Sequence, residues 1–431
     1  MAEHALLAML AALAALALLR PWMGLLALSF FGLLQPHTFL EGLSANLPVF
    51  KVLFFATVIG TLFSQDRRMP PRDWRVAALL LFWLGMAVST YFAAFPLLAG
   101  PEFIKVSATL SVAILILMLI NTPQKWLALL LASASALALV ALKGGYWAIA
   151  HQFADRVYGP PGSHYYDNNH FAIAALMIFP VLLFWMRRTA DRPLKLALGV
   201  LIALCLLAVL SSWSRGGFLA LGATLALLAV ERRGAPIAIA GIILATLAAL
   251  FLMPEQWLER MLSIGAQQVD GSAQSRLEVW QKGLGIALGS PWTGIGFEGW
   301  KFGGGQLEWH SIYVQILAEH GFVAFAAWLA LLIGTFAKLS RLIGRYRYRH
   351  GLKWIADYAT ALRASLAAYA VGGAFISIGY WDLLFNFVAL AIGLQALAAD
   401  IHPSSDLSRP RSEKPAAESA STDRQGIASP S

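Results

Sequence analysis

The sequence has few charged residues and only one cysteine. Charged side chains make up 13% of the 431 residues, against ~25% in ordinary soluble domains, and the mean hydropathy is +0.67. These values make a soluble core implausible. The one cysteine, Cys205, lies inside an apolar run, so no intramolecular disulfide can form.

Acidic residues are fewer than basic ones, and the formal net charge is +9 at pH 7. The basic residues cluster in short loops between apolar runs, which argues against a nucleic-acid partner. His164, Asp167 and His170 have a spacing that could hold a cation. Asp167 and Asn168, however, come just before an apolar run and equally indicate a helix-capping loop. We favour the capping interpretation, with no metal.

Long apolar runs are abundant. A run of ~20 apolar residues crosses a bilayer as a helix, and the 15 Trp and 11 Tyr residues fit aromatic belts at the two membrane interfaces. We therefore predict an all-α polytopic membrane protein with about 12–13 transmembrane helices, in which residues 5–34 cross once or twice. The runs lie near residues 5–19, 22–34, 48–63, 76–95, 103–120, 126–150, 169–186, 195–210, 216–230, 235–252, 311–337, 358–378 and 382–399.

Lys and Arg residues are concentrated in alternate loops. Positive charge is retained on the cytoplasmic side, so these loops are predicted to lie inside: 64–75, 121–125, 187–195, 231–234 and 338–353. The predicted parts of the chain are N-terminal transmembrane helices at 1–252 with an outer loop at 151–168, a large outer loop at 253–310 containing short amphipathic helices, C-terminal transmembrane helices at 311–399, and a disordered cytoplasmic tail at 400–431.

The first candidate site on the outer face is the sequence Ser214-Arg215-Gly216-Gly217. Ser214 is placed to cap the helix that follows, and a helix N-terminus attracts phosphate through its amides and its dipole. Gly216 would let an anion approach the backbone, and Arg215 adds a guanidinium group that fits phosphate oxygens. The alternative is a capped helix with packing glycines and an arginine that reaches the interface.

The second candidate is Arg276 in the large outer loop. Apolar residues at 277, 280, 284 and 288 have helical spacing and predict an amphipathic helix with one apolar stripe along the membrane surface. A surface contact between Arg276 and Asp270 is the simpler interpretation of this arginine. Gly294 and Gly296 indicate a tight turn, since no strand precedes them as a nucleotide-binding loop requires.

The third candidate is His310, directly before the run at 311–337. A histidine titrates near neutral pH, which suits a general base acting on a hydroxyl, although an interfacial histidine more often has no catalytic role. Glu319 lies nine residues further on, roughly 13 Å along a helix, and is too distant to orient His310 directly. We expect Glu319 to be a buried partner of an intramembrane cation or a polar group in helix packing.

At these residues the chain resembles the O-antigen ligase and polymerase superfamily, and more specifically the O-glycosylation ligases associated with the exosortase A system. The resemblance runs in order from about Pro36 to Gly379. The strings that carry the wider resemblance are Ser214-Arg215-Gly216, Arg276 through Trp280, Gly294-Ile295-Gly296-Phe297, His310-Ser311-Ile312-Tyr313 and Leu317-Ala318-Glu319-His320-Gly321. Those that carry the narrower one are Lys143-Gly144-Gly145, Tyr158-Gly159-Pro160-Pro161-Gly162-Ser163, Asp167-Asn168-Asn169, Met253-Pro254-Glu255 through Met261, and Asp270-Gly271-Ser272.

The resemblance implies a glycosyltransferase of a bacterial inner membrane, with no cofactor. It would join a glycan from an undecaprenyl-diphosphate carrier to a glycan, lipid or protein acceptor at the periplasmic face, without a metal or a nucleotide sugar. His310 corresponds to the general base, and Arg215 and Arg276 to arginines that hold the diphosphate. Arg156 is a weaker candidate for the same anion, and Gly216 is expected to lie against it. The expected supporting residues are Ser214, Asp167, Asn168 and Glu319.

Two other functions stay open. A polysaccharide polymerase of the same superfamily would use another lipid-linked chain as its acceptor. A non-enzymatic transporter or flippase of the same lipid would bind the diphosphate without releasing it and would not need His310. Against transport, few charged residues lie within the runs, and the sequence has no clear pair of broken helices of the transporter kind.

Overall fold

The computed structural model of the protein describes residues 2–35, 48–231, 235–262, 271–305 and 308–401. All regular secondary structure in these ranges is helical, which confirms the predicted all-α class of a polytopic membrane protein. The helices are α1 (Ala2–Leu19), α2 (Pro21–Leu34), α3 (Val49–Phe63), α4 (Trp74–Tyr91), α5 (Pro96–Leu119), α6 (Pro123–Ala150), α7 (Asn168–Arg188), α8 (Arg192–Leu210), α9 (Arg215–Val230), α10 (Ala235–Phe251), α11 (Glu255–Leu262), α12 (Gly271–Gly289), α13 (Gly299–Phe302), α14 (Ile312–Tyr346), α15 (Lys353–Gly373) and α16 (Asp382–Ile401).

Seven of the described helices are long and apolar enough to cross a membrane, namely α4 to α8, α14 and α16. α15 has 21 residues but carries Lys353, Asp357 and Arg363. The apolar segments of α1, α2, α3, α9 and α10 have 10–17 residues. The number of about 12–13 transmembrane helices stays a prediction, and the predicted tail beyond Ile401 lies outside the described residues.

Residues 5–34 form two helices that meet at Arg20. Pro21 begins α2, a favourable position because the first N–H groups of a helix have no intrahelical acceptor. α3 packs closely against the junction, since a Cβ atom on Gly60 would lie 2.7 Å from the carbonyl oxygen of Leu18. The N-terminal apolar stretch is therefore broken at its centre.

One end of the helix bundle is held by ion pairs, and we call it the basic end. Two pairs join loops that the Lys and Arg pattern groups together, and they are Asp66 with Lys125 and Glu231 with Arg347 at 2.9 Å. Two more join such a loop to a helix, and they are Arg68 with Asp400 at 3.7 Å and Arg188 with Asp357 at 3.0 Å. Arg363 of α15 also contacts Glu231, at 2.9 Å. The cytoplasmic location of this end stays a prediction.

The opposite end is held by hydrogen bonds to main-chain carbonyl groups, and we call it the cleft end because a cleft opens there. The bonds that join its loops are Val157 N–H to the Ser211 carbonyl at 2.9 Å, the Asn168 side chain to the Ser212 carbonyl at 2.6 Å, and the Trp257 indole to the Leu210 carbonyl at 2.8 Å. The turn at 211–214, between α8 and α9, is thus fixed from three directions.

α14 is broken at Gly321, whose φ of 74° and ψ of −177° lie outside the helical range. The predicted span at 311–337 therefore contains a break at this residue, and the helix continues to Tyr346. A turn at 290–296 fills the break and replaces the lost helical hydrogen bonds. Ile295 N–H donates to the Ala318 carbonyl at 3.0 Å, and Gly296 N–H donates to the carbonyl of the next residue at 2.9 Å.

Glycine is required on both sides of this contact. A Cβ atom on Gly321 would lie 2.6 Å from the Pro291 carbonyl oxygen, and one on Gly294 would lie 2.5 Å from the Ala318 carbonyl oxygen. Gly294 and Gly296 have φ values of 63° and 82°, so the predicted tight turn is confirmed.

α7 forms the centre of the bundle. Its residues 171–184 are buried, and it packs against α6, α8, α9 and α15. The first turn of α7 and the end of α15 both reach the cleft end from this core. The cleft end is therefore anchored to the buried core of the bundle.

Candidate active site

A small cleft opens at the cleft end between five structural elements. Its walls are the first turn of α7, the N-terminus of α9, the helices α11 and α12, and the end of α15 with the turn that follows it. The described lining residues are Asn169, Ile173, Ser214, Arg215, Gly216, Gly217, Arg260, Arg276, Gly372, Phe375 and Ile376. Residues distant in the sequence are thus assembled into one site by the fold.

The N-terminus of α9 forms one wall. Ser214 caps the helix as predicted, because its Oγ accepts the N–H of Gly217 at 3.0 Å. The first amides of any α-helix have no intrahelical acceptor, and the positive end of the helix dipole lies with them. A Cβ atom on Gly216 would approach the Phe375 side chain to 3.3 Å, so a larger residue at this position would narrow the cleft.

Three arginines contribute guanidinium groups to the cleft. Arg215 begins α9 and Arg276 lies in α12, so the two arginines predicted to share a site are brought together. Arg260 of α11 joins them, and its Nε donates to the Trp213 carbonyl at 3.1 Å. None of the eleven described lining residues is acidic. The lining is therefore positive and suits an anion with several oxygens, such as a diphosphate.

Arg156 is not among the described lining residues. Its guanidinium carbon lies 5.9 Å from the centre of the Trp213 ring, and Trp213 has a left-handed φ of 57° directly before the helix cap. Arg156 is therefore placed to support the turn at 211–214. A direct contact of Arg156 with the anion stays a prediction.

Asp167 and Asn168 hold the start of α7. The Asp167 carboxylate accepts the N–H groups of Asn169 at 2.9 Å and of His170 at 3.2 Å, which confirms the capping interpretation. Asn168 donates to the Ser212 carbonyl and so ties α7 to the turn before α9. Within the described ranges, no three His, Cys, Asp or Glu side chains are grouped so that they could hold a metal ion.

His310 lies half-buried at the edge of the cleft. Its φ is 47°, and its N–H donates to Ser377 Oγ at 3.0 Å, directly after the last lining residue. Burial lowers the pKa of His310 below its ordinary value, and the positive charge of Arg276 lowers this pKa further. Glu308 and Asp167 act in the opposite direction. His310 is therefore neutral at neutral pH and close to an arginine of the cleft.

Glu319 is buried, and its carboxyl group is hydrogen-bonded by two side chains and by the main chain of Glu298. It accepts a hydrogen bond from Trp309 Nε1 at 2.9 Å, and its other oxygen lies 2.5 Å from the Tyr380 hydroxyl oxygen. Of the two alternatives expected for Glu319, the contacts fit the polar group in helix packing, since no ion pair of Glu319 with an arginine or lysine is found in the part of the chain that the structure describes. The helix-packing interpretation is confirmed, and Glu319 holds the residue before His310 rather than His310 itself.

α12 has two apolar faces rather than the one predicted stripe. Val279 is buried in a cluster with Trp309, on the side that packs against α14. Three leucines of the predicted stripe lie on a different, exposed face, and they are Leu277, Leu284 and Leu288. Contact of this second face with the membrane surface stays a prediction, and the expected Asp270 partner of Arg276 lies outside the described residues.

Three residues have roles at this site that were not predicted from the sequence. Arg260 could have been found, because it follows a predicted span by a few positions and lies in the same outer loop as Arg276. Ser377 and Tyr380 gave no local signal. Ser377 is 67 positions from His310, and Tyr380 is 61 positions from Glu319.

The fold and the site define a polytopic helical membrane protein with a positively charged cleft at one end of its bundle. Residues 200–329 match the family described as O-antigen ligase, and this range contains the three cleft arginines and His310. Residues 1–190 match a family of unknown function, DUF5935. A search of the curated proteins found no match. The first match supports the O-antigen ligase superfamily and a glycosyltransferase-like ligase activity on lipid-linked glycans.

Proposed function

We propose that this protein is an inner-membrane glycosyltransferase of the O-glycosylation ligase type associated with the exosortase A system. It takes a glycan from an undecaprenyl-diphosphate carrier and joins it to a hydroxyl group of a glycan, lipid or protein acceptor at the periplasmic face. One observation carries the proposal: Arg215, Arg260 and Arg276 converge on one cleft beside His310, within the segment that matches O-antigen ligases.

The cleft binds the diphosphate of the donor. In a single displacement, the acceptor oxygen forms a bond to the anomeric carbon while the bond from that carbon to the diphosphate oxygen breaks, with inversion. The leaving diphosphate gains negative charge, and guanidinium groups and helix-end amides fixed in advance stabilise that charge. Gly216 keeps the wall next to the anion open. Because these groups supply the positive charge, the proposed reaction needs no metal.

His310 acts as the general base and takes the proton of the acceptor hydroxyl as the new bond forms. This role requires the neutral imidazole, and the lowered pKa of His310 keeps it neutral at neutral pH. Ser214, Asp167 and Asn168 support the site indirectly, because they fix the starts of the two helices that meet at the cleft.

The proposal is tested with purified protein, an undecaprenyl-diphosphate-linked glycan and a panel of acceptors, without nucleotide and with a chelator. The measurement is the release of undecaprenyl diphosphate. We expect release by the wild type and a loss of about 10²–10³-fold in His310→Ala and Arg215→Ala, the range for one removed stabilising group. Arg341→Ala, an exposed arginine near the end of α14, is the matched control and should keep full activity.

The products separate the proposed ligase from its alternatives. A single transfer to a non-carrier acceptor supports the ligase, whereas a ladder of lengths still attached to lipid supports the polymerase. Tight donor binding with no release by any acceptor would replace the proposal with transport. Full activity of His310→Ala would overturn the role of the base.

A further inference from the structure

A chain of hydrogen bonds lies in the core around Glu319. Besides the bond from Trp309, Glu319 contacts the Tyr380 hydroxyl at 2.5 Å, and this hydroxyl lies 2.7 Å from His320 Nε2. His320 Nδ1 is 2.9 Å from Ser89 Oγ, and this oxygen is 2.7 Å from the main-chain oxygen of Glu319. Glu319, His320 and Ser89 are 2%, 0% and 0% exposed, so these three groups are shielded from solvent.

The number of hydrogen atoms in this chain follows from its geometry. A carbonyl oxygen cannot donate, so the Ser89 hydroxyl donates to the Glu319 carbonyl and its oxygen accepts the Nδ1–H of His320. Two contacts remain, from His320 Nε2 to Tyr380 and from Tyr380 to the Glu319 carboxyl group. Each contact needs one hydrogen, and Tyr380 supplies only one of them. Either His320 or Glu319 therefore carries an additional proton.

The neutral arrangement is the more stable of the two. In it, the Glu319 carboxylic acid donates to the Tyr380 oxygen, and the Tyr380 hydroxyl donates to Nε2 of a neutral His320. The alternative separates a buried imidazolium from a buried carboxylate, and burying two charges costs more free energy than burying a neutral pair. Burial disfavours an ionised Glu319, and the Glu298 carboxylate adds like-charge repulsion, while the hydrogen bond from the Glu298 main chain acts in the opposite direction.

The chain reaches His310 through Trp309, the residue directly before it. The Trp309 ring is fixed by its bond to Glu319, and the Trp309 carbonyl accepts a hydrogen bond from Trp280 Nε1 at 2.9 Å. His310 has a left-handed φ of 47°, a conformation that a residue other than glycine keeps only when its surroundings hold it. The link from Glu319 to Trp309 is one of those constraints.

We propose that Glu319 is a neutral carboxylic acid and a positioning residue that sets the direction of His310 through Trp309. This inference rests on the proposed role of His310 as the base. Glu319 does not touch the substrate. Its effect is on the geometry of the proton transfer, where a displacement of about 1 Å costs about 10²-fold in rate.

The kinetic test compares two substitutions at one position. Glu319→Gln keeps an acceptor for Trp309 and a donor for Tyr380, so it reproduces the neutral arrangement and should stay within about 3-fold of the wild-type kcat. Glu319→Ala removes both groups and should lower kcat by about 10²-fold. The donor KM should change little in either variant, because the arginine cleft is intact. Activities are expressed per folded protein.

Trp309→Phe tests the link without changing Glu319. This substitution removes the indole donor and should lower kcat as much as Glu319→Ala does. The double variant should be no slower than either single variant, because both substitutions break the same connection. Tyr313→Phe is the matched control. Tyr313 is a half-buried tyrosine of α14 whose hydroxyl donates to the Ala370 carbonyl at 3.0 Å, and its loss should leave kcat unchanged.

Infrared spectroscopy tests the neutral acid without using activity. The difference spectrum between wild type and Glu319→Gln at pH 7 should contain the C=O stretching band of a protonated carboxylic acid. Absence of that band would overturn the neutral acid. Wild-type kcat in Trp309→Phe, or a Glu319→Gln variant as slow as Glu319→Ala, would overturn the positioning role. A wild type without transfer would overturn the proposed function and the positioning role with it, while the infrared band still decides the protonation of Glu319.

Discussion

The two ends of the helix bundle use basic residues in different ways. At the basic end, arginines are paired with carboxylates, and Glu231 alone contacts both Arg347 and Arg363 at 2.9 Å. At the cleft end, three arginines line one cleft in which no described lining residue is acidic. The first arrangement joins helix ends to one another, and the second gathers guanidinium groups around one cleft.

The two ends differ in the partners of their basic residues more than in the number of those residues. The loops of the basic end hold most of the basic residues, and several of these, Arg68, Lys125, Arg188 and Arg347, have carboxylate partners. If the cleft binds a diphosphate as proposed, the anion would lower the repulsion among the three guanidinium groups. The proposed binding place is therefore the end where arginines converge on a cleft, and it is not the end with the larger number of basic residues.

The largest expected effect is the loss of a cleft arginine. Arg260→Ala should lower kcat/KM by about 10²–10³-fold, because it removes one fixed positive group from the developing diphosphate charge. Arg188→Ala, which breaks the ion pair with Asp357 at the basic end, should leave kcat/KM at the wild-type value. The measurement is the rate of undecaprenyl diphosphate release. Equal losses in the two variants would remove the distinction between the two ends.

A smaller effect, on stability instead of activity, is expected from Arg363→Met at the basic end. Removing the partner of a buried charge costs about 3–5 kcal/mol, and we expect about 2 kcal/mol here because Glu231 keeps Arg347. The free energy of unfolding in detergent should fall, while kcat per folded molecule stays constant. A variant with wild-type stability and reduced kcat would contradict the structural role of this end.

The third effect is a displacement of the pH profile. Because the pKa of His310 is lowered, kcat/KM should be constant above this pKa and should fall as the pH decreases through it, at a pH below 6.5, the ordinary value. Arg276→Gln removes a positive charge that lowers this pKa, so the acid limb should move to higher pH. Lys282→Gln is the control on the same helix, since Lys282 lies 5.6 Å from the centre of the Trp300 ring. An acid limb of Arg276→Gln that does not move, or moves to lower pH, would contradict the proximity of Arg276 and the base.

The local parts of the site could be predicted from the sequence. Ser214 and Asp167 cap helices as expected, because a cap depends on residues within three positions of it. Gly294 and Gly296 form the expected turn for a similar reason. The convergence of Arg215 and Arg276 was expected because both were predicted to lie on the outer face and because of the family resemblance. The contacts that hold their two helices against the core come from the fold.

The break in α14 could not be predicted in this way. A single glycine within an apolar run is compatible with an unbroken membrane helix, and Gly321 departs from helical geometry because the turn at 290–296 occupies the space beside it. The face of α12 that packs inward was also missed. The spacing of apolar residues shows that a helix has an apolar face. Where a helix has two such faces, the spacing does not show which of them packs against the rest of the protein.

The distribution of the cleft lining along the chain has a consequence for the biosynthesis of the protein. A chain that has been synthesised only as far as α12 already carries all three cleft arginines, but it lacks the wall formed by Phe375 and Ile376. The cleft is completed only after α14 and α15 have been inserted. A nascent chain, or a protein truncated before α15, therefore lacks a complete cleft, and under the proposed function it would not act on lipid-linked glycan.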